Sequence, residues 1–316
     1  MNAAPHLSVM VDDVVEMLAP VDGGIYVDAT FGAGGYTSSI LAAADCTVFA
    51  IDRDPSAKAF AAAVAEKFPG RLTLLAGCFG DMVMLLGEAG VTRVNGIAFD
   101  LGVSSMQLDQ AERGFSFRTD GPLDMRMGDS GQTAADLVNT MEENDLANII
   151  YDFGEERLSR RIAKAIVARR SEQRYERTLD LAKTVRSVVR KSADGIDPAT
   201  RTFQAIRIAV NDELGEIRRG LEAAEQVLVP GGRVCVVAFH SLEDRMVKRF
   251  FRARSGGEGA SRHGPPVTNK MAETLRLVER RARKPRADET AINPRARSAR
   301  MRTAERLETD VIGGGS

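Results

Sequence analysis

Cysteine, histidine and tryptophan are scarce in this chain. Its 316 residues include three cysteines, three histidines and no tryptophan. The cysteines lie in or beside apolar stretches and form no CxxC pair, which is typical of core residues in a reducing compartment rather than of disulfides. The histidines are far apart in the sequence and lack the i, i+4 spacing of a helical metal pair, so no metal site is expected.

An excess of charge of one sign is also missing, and so are long apolar runs. The chain carries 43 Lys and Arg against 44 Asp and Glu, a formal net charge of −1. A uniformly basic surface is therefore excluded, and charge has to be assessed segment by segment. The N-terminal stretch is acidic where a secretory signal would be basic, and no apolar run suits a membrane span. A cytoplasmic protein without a membrane partner is expected.

Short apolar runs alternate with helical patterns over residues 24–100. The runs are GIYVDA, TVFAID, RLTLLAG and VNGIAFD, and such alternation predicts a parallel sheet with helical crossovers. Residues 104–212 show helical periods without a clear strand, and the strand pattern returns in GRVCVVAF at 232–239. The sequence therefore predicts an α/β domain of residues 1–103 and 213–316, interrupted by an inserted α-helical domain of residues 104–212.

The tail contains two further strand candidates. They are LRLVE at 275–279 and SARMRTAERL at 298–307, separated by a basic loop with prolines. We expect them to pair as antiparallel strands at the edge of the sheet.

A glycine-rich turn, DATFGAGGYT at residues 28–37, follows the first predicted strand and opens a helix. Gly32, Gly34 and Gly35 let the backbone turn sharply and approach a ligand at the carboxyl end of the strand, where open α/β sheets bind ligands. Thr37 stands where a dinucleotide fingerprint has its third glycine, and the Gly-Lys-Ser/Thr of a P-loop is absent. Both of those ligand classes are therefore disfavoured.

The second predicted strand ends in Asp52, about 20 residues beyond the glycine turn, the usual distance for a carboxylate that binds the two hydroxyls of a ribose. The alternative is that Asp52 caps the helix predicted to begin at Pro55. Asp54 suits that role better, because proline is favoured at the first helical position. We therefore assign the ribose to Asp52 and the helix cap to Asp54.

An acid ending strand one, a GxGG turn and an acid ending strand two resemble the class I methyltransferases. More specific segments are DLGVSSMQLD at 100–109, RGFSFRTDGPLDMRM at 113–127, PATRTFQAIRIAVNDEL at 198–214, FHSLEDRMVKRF at 239–250 and NPRARSA at 293–299. Together they resemble, over nearly the whole chain, the family of ribosomal small-subunit RNA cytosine-N4 methyltransferases. The resemblance implies a Rossmann-like, class I methyltransferase sheet and S-adenosylmethionine-dependent methylation of a cytidine in 16S ribosomal RNA. It also implies that residues 1–103 and 213–316 bind the cofactor and that the inserted domain, residues 104–212, recognises the substrate.

The resemblance also implies which residues contact the cofactor. They are Gly34, Gly35 and Tyr36 in the turn, Asp52 at the ribose, Phe79 beside the adenine, and Asp100 and Gln107 near the methionine part. This chain has Tyr36 where many relatives carry histidine. A contact between the backbone of residue 36 and the cofactor survives that difference, whereas a contact through the side chain is left open. From the residues alone, Phe79 is equally well explained as core and Gln107 as a surface residue of a loop.

Asp100 is also the candidate catalytic residue. The exocyclic amine of cytosine is a poor nucleophile because its lone pair is delocalised into the ring. Asp100, at the end of the fourth predicted strand, is placed to accept an amino hydrogen and help localise that lone pair. A purely cofactor-binding role for Asp100 stays open. After the last predicted parallel strand, Ser241 and Asp244 resemble a helix-start box, and the resemblance places His240 in the active-site cleft.

Two basic clusters are candidates for phosphate contacts. The inserted domain carries Arg157, Arg160, Arg161, Lys164, Arg169 and Arg170, and the tail carries Arg281, Arg283, Lys284, Arg286, Arg295, Arg297 and Arg300. Acidic neighbours on the same helix can pair with the first cluster, so the tail is favoured as the RNA-binding element. The expected partner is 16S ribosomal RNA or the small ribosomal subunit, with no DNA partner, for a monomer or homodimer.

Two other functions stay open. One is a methyltransferase for an amine of DNA or protein; the DNA enzymes usually carry a Pro-Pro-aromatic turn after the fourth-strand acid, where this chain has LGV at 101–103. The other is a non-catalytic RNA-binding protein on the same fold. A loss of the catalytic site is disfavoured, because the chain keeps the glycine turn and the acids Asp28, Asp52 and Asp100.

Overall fold

The chain divides into two compact units. The computed structural model describes residues 8–190, 195–256 and 272–308. One unit combines Met1–Gly102 with Gly215–Ser316, and the other is Val103–Leu214. We refer to them as the sheet unit and the helical unit. What each unit binds stays a prediction at this point.

Seven strands form the one sheet of the sheet unit. They are β1 (Ile25–Asp28), β2 (Thr47–Asp52), β3 (Leu72–Ala76), β4 (Val94–Asp100), β5 (Leu228–Ala238), β6 (Leu275–Leu277) and β7 (Arg300–Arg306), in the order β3-β2-β1-β4-β5-β7-β6. Strands β1 to β5 pair in parallel, whereas β7 pairs antiparallel with both β5 and β6. The predicted, mainly parallel sheet is thereby confirmed, and so is the antiparallel tail pair at its edge.

The register of the central strands brings three acids to one edge of the sheet. Asp28, the last residue of β1, is level with Ala50 of β2 and Ala98 of β4. Asp52 and Asp100 end their strands two residues farther along. Because the strands are parallel, all three carboxyl groups lie at the carboxyl edge of the sheet.

The helices follow in chain order. They are α1 (Val11–Leu18), α2 (Gly35–Ala43), α3 (Ala57–Lys67), α4 (Met82–Glu88), α5 (Ser105–Asp109), α6 (Ala134–Thr140), α7 (Glu143–Gly154), α8 (Ser159–Glu172), α9 (Thr178–Val188), α10 (Thr200–Asn211), α11 (Glu213–Val227), α12 (Ser241–Arg254) and α13 (Ala287–Ile292). Short 3-10 turns cover Phe79–Asp81, Ala111–Arg113 and Pro294–Ser298. In the described ranges, no helix combines the length and the apolar character that a membrane crossing requires.

The core of the sheet unit lies between the sheet and helices α1 and α2. Tyr26, Val48, Ile40, Leu41 and Val237 are fully buried there. Strand β4 is buried at almost every position, as expected for a central parallel strand that is covered on both faces. The expectation that cysteines serve as core residues is confirmed for Cys46 and Cys235, which are buried and free, whereas Cys78 is half-buried.

The helical unit has a hydrophobic core of its own. Leu146, Ile150, Ile162 and Ile166 of α7 and α8 are fully buried in it. Asn211, at the end of α10, fixes the long loop before α6: its Oδ1 accepts from the backbone N–H of Met127 at 2.8 Å, and its Nδ2 donates to the carbonyl of Met125 at 2.7 Å. Among its described residues this unit has no strand, only an isolated bridge between Pro122 and Arg177.

The predicted helix start at Pro55 is wrong by two residues. Helix α3 begins at Ala57, because Asp54 first closes a turn, accepting from both the backbone N–H and the hydroxyl of Ser56. Asp54 therefore caps the turn before the helix rather than the helix itself.

The predicted box of Ser241 with Asp244 is also wrong. The N-cap of α12 is His240, which forms a reciprocal capping pair with Glu243. The Asp244 carboxylate instead accepts two hydrogen bonds from the Arg302 guanidinium, at 2.7 and 3.1 Å. The local sequence pattern assigns Asp244 to the cap. Its carboxylate instead pairs α12 with β7, a strand that is distant in sequence.

An ion-pair network ties the tail to α1. The Arg283 guanidinium donates to Asp13 and Glu16 of α1, at 2.9 Å each, and to Glu279 at 2.7 Å. Asp13 is 6% exposed and Arg283 is 23% exposed, so the network is partly shielded from water. Arg283 is consequently engaged within the fold, which corrects its inclusion among the arginines available for phosphate.

We expect Arg283→Ala to lower the free energy of unfolding by about 2 kcal/mol, because it leaves the buried Asp13 carboxylate without its principal partner. The loss stays below that of a fully buried pair, since Glu16 is exposed and Arg286 lies 3.9 Å from Asp13. Urea denaturation measures the effect, with the exposed Arg280→Ala as the matched control. Equal midpoints for the two variants would contradict the prediction.

Candidate active site

The candidate site is at the carboxyl ends of β1, β2 and β4 in the sheet unit. The chain crosses from β1 to β2 on one side and reaches β4 on the other, so the strand order reverses at β1. Ligands of open α/β sheets bind outside the carboxyl ends of the strands at such a switch point. The residues predicted for the cofactor in this unit all lie at this edge or in the loops that leave it.

Asp28 holds the first loop together. Its carboxylate accepts from the backbone N–H of Thr30 at 3.3 Å, from that of Thr37 at 3.1 Å and from the Thr37 hydroxyl at 2.7 Å. Burial raises the pKa of Asp28 to about 6, and the bonds from Thr37 and Thr30 oppose that rise. Asp28 therefore fixes the glycine turn between the end of β1 and the first turn of α2.

The three glycines of the turn differ in the space that surrounds them. Gly34 has φ +80°, and a Cβ there would lie 2.9 Å from the Phe31 ring. A Cβ on Gly35 would meet the Ser8 hydroxyl at 1.9 Å. Gly32, at φ +54°, has only a distant carbonyl within 4 Å. Packing inside the protein thus explains Gly34 and Gly35, whereas the open side of the turn is at Gly32.

Tyr36 uses its side chain in the core. It is 2% exposed, and its hydroxyl donates to the carbonyl of Val9 at 2.6 Å. Burial, and then the charges of Asp100 and Asp28, raise its pKa well above the usual range. The Tyr36 side chain is therefore committed to the core, and a cofactor contact through its backbone stays a prediction.

Asp52 joins two neighbouring loops. Its Oδ2 accepts from the backbone N–H of Gly32 at 2.7 Å, and its Oδ1 accepts from that of Asp54 at 2.8 Å. Burial raises the pKa of this half-buried carboxyl, and those two bonds oppose the rise. Each carboxylate oxygen has two acceptor sites, so both oxygens keep capacity for a further donor.

Phe79 begins the 3-10 turn after β3 and is half-buried. Its ring stands edge-on to that of Phe99, with centroids 5.5 Å apart. A Cβ on Gly220 of α11 would come within 2.6 Å of the Phe79 ring, so this glycine makes room for it. The ring is held by core contacts while part of its surface stays open, which suits both of the roles considered for it.

Asp100 ends β4 with one carboxyl oxygen unpaired. Its backbone N–H donates to the Thr30 hydroxyl at 2.6 Å, and its Oδ1 is buried with no hydrogen-bond partner among the described residues. Burial, followed by the charge of Asp28, raises the pKa of Asp100 well above its usual range, and Glu243 and Glu289 add to the rise. A buried carboxyl group surrounded by other acids favours a cationic or proton-donating ligand.

Glu243 is a site residue that the sequence did not single out. It is fully buried, and its Oε2 accepts from the backbone N–H groups of Phe239 and His240 at 2.8 and 3.2 Å. Its Oε1 lies 3.1 Å from Nε2 of His240. The backbone N–H of Glu243 donates to Nδ1 of His240 at 3.5 Å. Glu243 thus fixes the loop that follows β5 with its carboxylate and the His240 ring with its backbone. The sequence does show a glutamate three residues after the cap, as in a capping box, but the cap is a histidine rather than Ser or Thr.

Gln107 belongs to the helical unit rather than to the sheet unit. It is buried in the first turn of α5, where it forms a reciprocal capping box with Ser104. The interpretation of Gln107 as a surface residue of a loop is therefore wrong. Its assignment to the methionine part of the cofactor stays a prediction.

A family model and two curated proteins match nearly the whole chain. The model of a family described as the MraW methylase family matches residues 3–307. The chain is 61% identical to Ribosomal RNA small subunit methyltransferase H of Rhodospirillum rubrum over 98% of this chain and 96% of that protein. It is 62% identical to the protein of the same name from Rhodospirillum centenum, over 95% of this chain and 92% of that protein. A solved rRNA methylase from Streptococcus thermophilus superposes with a TM-score of 0.42 at 11% identity, covering 97% and 100% of the two chains.

We expect Asp100→Asn to stabilise the ligand-free protein at pH 8, raising its Tm by about 2–4 °C. An acid with a raised folded-state pKa takes up its proton more readily when folded than when unfolded, so the unfolding free energy falls as pH rises from the ordinary value of 3.8 toward the raised pKa. Asparagine removes that loss. Calorimetry measures the effect, with the exposed Asp45→Asn as control.

The gain should also shrink as pH falls toward 4, because Asp100 is then protonated in both states and carries no charge to remove. A variant with the parent's Tm at pH 8, or with a gain that does not depend on pH, would contradict the prediction.

Proposed function

The chain belongs to the MraW methylase family, and we propose that it transfers the methyl group of S-adenosylmethionine to N4 of a cytidine in 16S ribosomal RNA. The observation that carries the proposal is near-complete coverage at 61% identity by a protein named for methylation of small-subunit ribosomal RNA. The choice of the cytidine amine follows from the segments quoted above.

The residues at the carboxyl edge of the sheet fit this cofactor. Its ribose needs a hydroxyl acceptor, and Asp52 keeps acceptor capacity beside the open side of Gly32. The exposed part of the Phe79 ring suits an adenine. The methionine part carries a sulfonium and an ammonium, and the orphaned Oδ1 of Asp100 among other acids suits positive charge. When bound, the cofactor supplies an electrophilic methyl group.

Asp100 has a second use in the same position. As a carboxylate it accepts a hydrogen of the exocyclic amine and so helps localise the attacking lone pair. Burial raises the pKa of Asp100 in the ligand-free protein, and the positive charge of the bound cofactor favours the ionised form, which can accept the proton that the methylated amine loses. His240, which Glu243 orients, lies next to the end of β5 and is available to position the base.

The tail presents its arginines outward. In the 3-10 turn Pro294–Ser298, Ala296 is buried, as is Ala299 after it, whereas Arg295 and Arg297 are exposed. Arg300 donates to the carbonyls of Ser298 and Ala299. The two alanines therefore anchor the segment in the core while Arg295 and Arg297 are exposed to solvent, which supports phosphate binding by the tail.

For partner and location, we propose 16S ribosomal RNA or the small subunit, without a DNA or membrane partner, and a cytoplasmic monomer or homodimer. Methylation of an amine in DNA or protein, and RNA binding without catalysis, lack an observation of their own in the described site.

Nucleoside analysis of ribosomal RNA tests the function directly. Mass spectrometry of 16S RNA from cells lacking the protein should show loss of N4-methylated cytidine, with return of the mark when the parent gene is supplied. Purified protein and labelled cofactor should then label small subunits or 16S RNA and leave DNA unlabelled. An unchanged level of the modified cytidine would reject the proposal.

We expect Asp52→Ala to weaken cofactor binding at least about 100-fold, because two ribose hydroxyls lose a charged acceptor at roughly 1.5–3 kcal/mol for each bond. RNA affinity should stay near that of the parent. Calorimetric titration with S-adenosylmethionine measures the loss, and Asp45→Ala is the exposed acidic control. An unaltered dissociation constant for the cofactor would reject the ribose role. Asp52 would then serve only to accept the backbone N–H groups of Gly32 and Asp54.

Replacing Arg295, Arg297 and Arg300 with Ala should weaken RNA binding and leave cofactor affinity unchanged. The log-log dependence of affinity on salt should become less steep by about one unit for each phosphate that is no longer neutralised. RNA titrations at several salt concentrations measure the slope, with Lys58→Ala and Lys67→Ala on α3 as exposed basic controls. A parental slope together with a lowered Tm would mean that these arginines serve only the stability of the fold.

A further inference from the structure

A basic cleft lies in the helical unit, between α7 and the start of α8. Its volume is about 330 Å³, and its lining includes Asn148, Tyr151, Arg157, Leu158, Arg160 and Arg161. That volume is within the range of about 300–1,000 Å³ that ligand clefts occupy. We call it the Tyr151 cleft. No carboxylate is among the residues that line it.

The three arginines of the cleft are unengaged. Arg157, Arg160 and Arg161 are exposed, and none of their guanidinium groups forms a hydrogen bond or ion pair with another residue of the described chain. Their neighbours on α8 differ: Arg169 pairs with Asp180 at 3.4 Å, and Arg170 donates to the carbonyls of Val138 and Met141. The basic cluster predicted on this helix thus separates into engaged arginines at its end and unengaged ones at its start.

The loop between α7 and α8, which carries Arg157 and leads into the first turn of α8 with Arg160 and Arg161, is held in place. Glu156 is buried, and its carboxylate accepts from the backbone N–H of Leu158 at 2.8 Å and lies 3.7 Å from Arg201. A Cβ on Gly154 would meet the Arg201 carbonyl at 2.6 Å, so α7 ends in close contact with α10. The buried acid of this loop is therefore committed elsewhere, and the arginines project from a fixed backbone.

An aromatic ring completes the cleft. Tyr151 is 58% exposed, an unusual state for a large ring on a helix whose other face is core. Asn148 and Tyr151 are three residues apart and share the face of α7 that borders the cleft. An exposed ring beside guanidinium groups is the arrangement on which single-stranded nucleic acids stack a base while their phosphates are neutralised.

We infer that the Tyr151 cleft binds a single-stranded segment of RNA, with one base stacked on the Tyr151 ring and the adjoining phosphates on Arg160 and Arg161. The start of α8 adds the partial positive charge of a helix N-terminus to the same place. The inference rests on the proposed function for the identity of the polymer. It goes further by assigning a base-stacking ring and two phosphate contacts to one cleft of the helical unit.

Paired variants of the full chain test the cleft. The double variant Arg160→Ala with Arg161→Ala should bind labelled single-stranded RNA of mixed sequence at least about fivefold more weakly, with a salt slope less steep by about two units. Tyr151→Ala should weaken binding about tenfold, whereas Tyr151→Phe keeps the ring and should bind like the parent. Arg174→Ala with Lys183→Ala removes two exposed charges from the same unit outside the cleft and is the control. Thermal unfolding of each variant should match the parent.

Methyl transfer to small subunits, measured on the same preparations, separates this inference from the proposed function. The inference is supported if the cleft variants raise KM for RNA while kcat and cofactor affinity stay parental. It is overturned if the parent methylates RNA and the cleft variants behave like the control pair, an outcome that leaves the proposed function intact. If the parent neither binds nor methylates RNA, both fall together.

Discussion

The hydrogen bonds accepted by the buried Asp28 determine the geometry of the carboxyl edge of the sheet. One carboxylate oxygen takes both the backbone N–H and the hydroxyl of Thr37, and the other takes the N–H of Thr30. The Thr30 hydroxyl then accepts from the backbone of Asp100, and the glycine turn donates to Asp52 through Gly32. The acids that end β1, β2 and β4 are therefore linked through a single loop.

This arrangement buries several acidic side chains at the carboxyl edge of the sheet. Asp28, Asp100 and Glu243 are buried close enough to raise the pKa of Asp100, and one oxygen of Asp100 has no partner in the described chain. Such a site lowers the stability of the ligand-free protein, because burying charge without a counter-ion is unfavourable. Under the proposed function, a cationic cofactor bound beside Asp100 removes this imbalance, so the carboxyls that weaken the fold also favour its binding.

Each unit supplies basic groups of a different kind. In the tail, buried alanines alternate with outward arginines, while Arg283 is used to hold the tail against α1. In the helical unit, Glu156 and Gly154 hold a loop whose arginines stay unengaged beside an exposed tyrosine. In both places a few buried contacts fix the backbone that carries exposed basic groups, which lowers the entropic cost of meeting a polyanion.

The sequence by itself determined the alternation of strands and helices, the antiparallel tail pair, the three strand-end acids and the glycine turn, because periodicity and turn residues are local properties. It did not reveal that Tyr36 turns into the core, that His240 rather than Ser241 caps α12, or that Arg283 pairs with Asp13 across 270 positions. It also left Glu243 unnoticed and treated the arginines of α8 as one group. Those outcomes depend on which side chains meet after folding, and only tertiary packing decides between a partner nearby in sequence and a better one far away.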